Sequence, residues 1–340
     1  MYMTWSHFKE TKRLRIAYRR VGEGNSRKLL FLHGNLSSSE YILPLFPFLE
    51  DDFDVVAPDL RCFGDTDALA VDATRGYRDF SDDVFALVEA LDWKSFSICG
   101  WSMGGNVAMQ FAIDHPDMVE RLLFLAPGSP YGFGGSYDEQ GTPYAPLGLG
   151  SGAGAANPGL LLAIEHGSRF VLRDVLTKYY FNPPFRMERI WENRLIDAIG
   201  KISIGTDRFP GNYTHSEHWP YVVAGDKGVL NAMSSAYGDV SDFLTIPNKI
   251  PVLWIHGDND RIVSDESLLE FGYLGKLGLV PGWPGPKVYP PQPMLSQLRN
   301  FFEQYRQLGG SADELIIPGG HMCALESTDY FIEGLKGFLL

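Results

Sequence analysis

A chain of 340 residues, 45% of them hydrophobic, has material for one large core with insertions. Its net charge of −13 argues against nucleic acid, because little is present to neutralise phosphates, and against docking on anionic membranes. No apolar run approaches the roughly 20 residues of a membrane span, and residues 1–10 hold no apolar signal-peptide stretch. The three cysteines, Cys62, Cys99 and Cys323, are odd in number. They do not read as a disulfide framework and favour a reducing, cytoplasmic setting. The basic residues Lys12, Arg13, Arg15, Arg19 and Arg20 alternate with Leu14, Ile16 and Tyr18, the pattern of a solvated edge strand.

In chain order, strands are expected over 5–9, 13–19, 28–32, 54–58, 95–99, 121–125, 252–256 and 313–317. Helices are expected over 77–91, 104–115, 293–308 and 329–340. Strands alternating with helices imply an α/β fold, with a mostly parallel eight-stranded sheet covered on both faces.

The strand at 28–32 runs into His33-Gly34-Asn35-Leu36. Backbone turning after such a glycine can present an amide to a reacting group. The next informative stretch is Gly100-Trp101-Ser102-Met103-Gly104, a G-x-S-x-G pattern between a β-prone run and a helical one. A strand, a sharp turn and a helix expose a serine hydroxyl at the tip of a sheet. The flanking glycines relieve collisions in that turn. The Met103 amide, at a helix N-terminus, is placed to stabilise an oxyanion.

Serine needs a base and the base an orienting acid, here expected in the order Ser, Asp or Glu, His. Val252-Leu253-Trp254-Ile255 opens into a loop with Asp258 and Asp260. Asp313 to Pro318 leads into Gly319-Gly320-His321.

Taken in order, these motifs resemble the α/β-hydrolase family over nearly the whole chain. The family's acid usually stands in G-x-x-D-x-x-V, which Gly257, Asp260 and Val263 match, so the resemblance assigns that role to Asp260 and not Asp258. It assigns the nucleophile to Ser102, the base to His321 and the oxyanion amides to Asn35 and Met103. Asp59 to Thr66 matches another family stretch, with Cys62 where relatives commonly carry glycine and Thr66 where they carry serine. The implied fold is the α/β-hydrolase fold with a helical cap insertion. The core is then 1–127 with 249–340, and the cap 128–248.

The insertion opens on a glycine-rich run from Gly128 and continues through Gly148 to Gly154. It follows no strand with G-x-G-x-x-G spacing, so it does not read as a phosphate cradle. Asn157-Pro158 reads as a helix start. Helices are expected over 168–180 and 186–199. His215-Ser216-Glu217-His218 reads as a solvated loop and not a metal site. A second insertion lies between Asp260 and His321, which are 61 residues apart. Its Pro-, Gly- and aromatic-rich stretch 271–294 is expected to order near the site mouth.

The resulting expectation is a serine hydrolase of small, uncharged carboxylic esters. No cofactor or metal is expected, and the chain is a monomer or homodimer. The pocket wall is expected from Trp101, Leu36, Tyr131 and Phe133, with Tyr179, Tyr180 and Trp283 nearby. Lactonase, thioesterase, amidase and carbon–carbon bond hydrolase chemistry use the same triad. The Trp-Ser-Met turn is similar to that of intracellular polyhydroxybutyrate depolymerases. A non-enzymatic receptor on the same fold is the alternative of another class. Epoxide hydrolases and haloalkane dehalogenases require a carboxylate where this chain has Ser102.

Overall fold

The computed structural model describes residues 6–144 and 154–340. The expectations at Trp5 and over most of the glycine run at 148–154 lie outside these residues. Eight strands form the main sheet: β1 (His7–Glu10), β2 (Arg15–Val21), β3 (Lys28–Leu32), β4 (Asp54–Pro58), β5 (Phe96–Trp101), β6 (Val119–Leu125), β7 (Val252–Gly257) and β8 (Ala312–Ile317). They lie in the order β1-β2-β4-β3-β5-β6-β7-β8. β2 is antiparallel to both neighbours, and the other pairs are parallel. β5 is buried at every position, as expected of a strand covered on both faces. The strand order reverses between β3 and β5. Open α/β sheets place their ligands at the carboxyl ends of such a switch point.

The covering helices are α1 (Arg78–Ala90), α2 (Met103–Asp114), α6 (Met294–Gln307) and α7 (Thr328–Leu339), each within about two residues of expectation. Between β6 and β7 run α3 (Pro158–Glu165), α4 (Arg169–Val175) and α5 (Arg189–Ile199). Asn157 caps α3 by accepting from the Gly159 amide. The single helix expected over 168–180 is α4 followed by a π-turn, Leu176–Tyr180. Such widened turns often mark functional sites. Among the described residues no helix is long and apolar enough to cross a membrane.

The 154–250 segment is tied to the core through the loop after β4. Ser203 donates to the Cys62 carbonyl, Val71 to that of Asp207 and Gly228 to that of Val71. Glu40, ion-paired with Arg19, also binds Arg194 of α5 at 2.8 Å. Both departures from the family pattern fall in this loop. Thr66 donates to the Asp59 carbonyl (2.7 Å) and accepts from the Ala17 amide (2.9 Å), so its hydroxyl bridges β2 and β4. Cys62 has φ +71, a left-handed conformation that glycine adopts without strain.

The second insertion packs on the first. Trp219 donates to the Pro281 carbonyl and its ring lies 4.6 Å from that of Tyr289. Behind them sits a buried polar clasp. Glu270 accepts from the Gly272, Tyr273 and Gln292 amides. The Gln292 and Gln297 carboxamides bind Gly132, Gly134, Ser129 and Ser136. Glu270 thereby caps a short helix, Phe271–Lys276, and the Pro/Gly-rich residues after it are held up to Met294, where α6 begins.

Candidate active site

β5 ends at Trp101, and Ser102 turns the chain with φ +53 and ψ −124, a conformation costly for a side-chain-bearing residue. The glycine requirement comes from close approach. A Cβ on Gly100 would lie 2.5 Å from the Gly104 carbonyl oxygen, and one on Gly104 would lie 2.3 Å from that of Leu32. Met103 is the first residue of α2, so its N–H has no acceptor within the helix.

The loop after β3 lies against this turn: a Cβ on Gly34 would be 2.8 Å from that of Ser102. The Gly34 carbonyl accepts from the Ser37 hydroxyl at 2.6 Å and lies 2.8 Å from His33 Nδ1. His33 Nε2 accepts the Leu60 amide at 2.9 Å, which assigns the ring proton to Nδ1. In a trans peptide the C=O and N–H point oppositely. Anchoring the Gly34 carbonyl on His33 and Ser37 therefore turns the Asn35 N–H away from them.

Burial lowers the His33 pKa to about 4, against an ordinary 6.5. The folded state then binds fewer protons than the unfolded chain between these values. This contribution to stability is present above about pH 6.5 and is lost as pH falls towards 4. The linkage amounts to about 3 kcal/mol by pH 4. The slope of Tm between pH 6.5 and 4 is expected to be shallower in His33→Gln than in the wild type. Equal slopes would overturn the assignment.

β7 and β8 carry the other two groups. Asp260 Oδ1 accepts the Ile262 and Val263 amides at 2.7 and 3.0 Å. Its Oδ2 lies 2.8 Å from His321 Nδ1, and both side chains are buried. Asp258 instead accepts the Gly319 amide at 3.0 Å, so it braces the histidine loop. Among the described residues the Ser102 hydroxyl makes no hydrogen bond. Such bonds commonly tighten only once substrate is bound.

Three residues connect these loops that the linear pattern did not single out for the task. Trp101 was expected in the pocket wall. It is fully buried, and its indole N–H donates to the His321 carbonyl at 2.9 Å, so it is a strut beneath the site. Tyr180, at the end of the π-turn, donates to the Asn35 carbonyl at 2.6 Å and accepts the Met322 amide at 2.9 Å. Glu326 accepts the Gly320 amide on one oxygen (2.6 Å) and the Asn182 amide on the other (2.8 Å). Burial raises its pKa. Glu326→Gln would set an NH₂ against one of these donors. A loss of about 1–3 kcal/mol in stability is expected, read by urea unfolding. An unchanged midpoint would show that this brace carries no weight.

The remaining expected pocket residues divide. Leu36 stands beside Asn35 with φ +48 and is nearly buried. The Tyr131 ring packs against Gly141 and edge-on to Phe301 of α6. Phe133 is held by its amide to the Met233 carbonyl. The Trp283 indole donates to the Tyr289 carbonyl. None of these last three has a described contact with Ser102, Asp260 or His321. Their positions depend on packing between distant segments, which no local pattern encodes. His215 and His218 are exposed. Among the described residues no group of three or more His, Cys, Asp or Glu gathers as metal ligands would.

The sequence pattern of the α/β-hydrolase fold family matches residues 28–153. A "serine hydrolase-like protein" of Danio rerio is 38% identical over 112 residues, 33% of either chain. A "soluble epoxide hydrolase" of Corynebacterium sp. is 36% identical over 105 residues, 31% of this chain and 36% of that one. The chain thus spans about a third of the length of these curated relatives. The enol-lactonase structure from Burkholderia xenovorans superposes with a TM-score of 0.59 at 16% identity, over 98% of this chain and 99% of that one. The chain has the α/β-hydrolase fold, and its residues 28–153 match the sequence pattern of that fold family.

Proposed function

We propose that this chain is a serine-dependent hydrolase of small, uncharged carboxylic esters, working through an acyl-enzyme. The observation that carries the reading is the buried Asp260–His321 pair at 2.8 Å, in a loop that Trp101 fastens to the serine turn. In this reading Ser102 Oγ attacks the ester carbonyl while His321 Nε2 takes its proton. Asp260 holds the imidazole with its proton on Nδ1 and stabilises the charged ring. The Asn35 and Met103 amides receive the oxyanion. Collapse of the tetrahedral intermediate expels the alcohol, which takes the proton from His321. Water then attacks the acyl-enzyme with His321 as base, freeing the acid and restoring Ser102.

Residues 128–248 act as a cap, a role supported by their place between β6 and β7 and by Tyr180 reaching from them to Asn35. An alkyl-enzyme route of the epoxide-hydrolase kind has no carboxylate at position 102. The uncharged preference rests on the neutral, largely aromatic groups around His321, namely Trp101 and Tyr180. The cytoplasm is the proposed compartment, from the three unpaired thiols.

The test is a panel of p-nitrophenyl esters, lactones and thioesters of matched size, with and without a serine-directed phosphonate. Short esters are expected to turn over fastest and the phosphonate to abolish turnover. A panel dominated by lactones or thioesters would reassign the substrate, and phosphonate-resistant turnover would remove the serine mechanism.

A further inference from the structure

Two polar side-chain atoms beside the candidate site are buried without a hydrogen-bond partner: Asn35 Oδ1 and the Tyr41 hydroxyl. Buried polar groups are nearly always paired, so each orphan calls for an explanation. A third orphan in the same stretch, Ser39 Oγ, has a separate setting. It belongs to the residue whose amide binds the Asp59 carboxylate.

Asn35 and Tyr41 share a neighbour. Tyr180 donates to the Asn35 carbonyl, and its ring meets that of Tyr41 edge-on at 6.1 Å. Tyr41 is fully buried and stacks on Trp101 at 5.3 Å. Trp101 and Tyr180 in turn flank the His321 ring at 5.5 and 5.7 Å. Both residues that carry the orphans therefore border the aromatic layer around the histidine. Asn35 also directly follows Gly34, which lies against Ser102.

The chemistry of the pair is specific. A carboxamide oxygen accepts, and a phenol both donates and accepts. Neither carries charge, since burial pushes the Tyr41 phenol well up from its ordinary pKa. The nearby charged residue Glu40 is already paired with Arg19 and Arg194. A neutral hydroxyl complements such a pair, donating to one member and accepting from the other. A carboxylate would lack the proton for Asn35 Oδ1.

We propose that Asn35 and Tyr41 form a polar subsite for a substrate hydroxyl, so that the preferred esters carry a free hydroxyl a few bonds from the scissile carbonyl. The proposal rests on ester hydrolysis at Ser102 and names the substrate class for it. The folding cost of two unpaired polar groups is then recovered when substrate binds. An ester lacking the hydroxyl leaves them unpaired and is discriminated against.

The experiment compares kcat/KM for matched pairs. On the acyl side these are p-nitrophenyl esters of butyric, 2-hydroxybutyric and 3-hydroxybutyric acids. On the alcohol side they are propyl and 2-hydroxyethyl butyrate. The wild type is expected to prefer at least one hydroxylated partner by about tenfold or more. Tyr41→Phe and Asn35→Ala are expected to lower that ratio about fivefold or more, whatever their absolute rates. Tyr41→Phe should also unfold at the wild-type temperature or above, because it deletes an unpaired buried hydroxyl. A wild-type ratio near one for every pair overturns the proposal and leaves the orphans to water. So does a ratio that neither variant changes. Phosphonate labelling of Ser102, read on the same samples, separates the two levels. Labelling with no hydroxyl preference removes only the subsite, whereas no labelling removes the ester-hydrolase reading beneath it.

Discussion

Ser102→Ala is expected to lower kcat/KM for p-nitrophenyl butyrate by about 10³-fold or more, leaving only what binding and the oxyanion donors supply. The residue has no substitute nearby: its oxygen is the sole hydroxyl at the turn between β5 and α2. Phosphonate labelling followed by peptide mapping should place the adduct on Ser102 in the wild type and find none in the variant. A labelled serine elsewhere, with Ser102→Ala still active, would refute the mechanism. The backbone adds a second readout. Ser102 is held at φ +53, which alanine would also have to adopt but glycine tolerates. Ser102→Gly should therefore be inactive yet more stable, by about 1 kcal/mol or more. Reduced stability on removing that side chain would mean the turn is not strained.

The two aspartates after β7 should separate sharply. Asp260→Asn is expected to cost about 10³- to 10⁴-fold in kcat. Its remaining oxygen would still accept the Ile262 and Val263 amides, leaving the NH₂ to face His321 Nδ1. That donor favours the wrong tautomer, with the proton on the nitrogen that should face the serine. Asp258→Asn keeps an oxygen for the Gly319 amide, so the histidine loop stays braced and the loss should be under about tenfold. Single-turnover kinetics on both variants check this. If Asp258→Asn proves the more damaging, the orienting acid has been misassigned.

The separation of these aspartates shows what kind of information each level carries. Read as a line, the chain offers G-x-x-D-x-x-V spacing, which favours Asp260 by resemblance. The geometry behind it depends on the parallel register of β7 with β8, where Gly257 lies opposite Ile317. With the strands so aligned, Asp260 leaves one strand end three residues on and His321 leaves the next four residues on. Their loops meet although 61 residues lie between them. A one-residue slip would carry one of them to the other face.

The pocket residues show the opposite case. Trp101 reads as pocket wall next to Ser102, and the fold buries it fully, where its indole N–H donates to the His321 carbonyl. Tyr131 and Phe133 follow the core closely in sequence, and it is clasp contacts with 292–297 and packing on α6 that fix their loop. Glu326 belongs to no motif. Its role appears only where Gly320 and Asn182, which are 138 positions apart, come within reach of one carboxylate.

By itself the sequence determined what local sterics and periodicity control. These are the alternation of strands and helices, the order of the sheet-forming runs, and a serine turn that admits only glycine where backbone passes within 3 Å. The tertiary structure alone decided which loops meet, which aromatics face inward, and which polar atoms are left without partners. Those outcomes depend on register and packing between segments far apart in the chain, and no short window of residues contains both halves of such a contact.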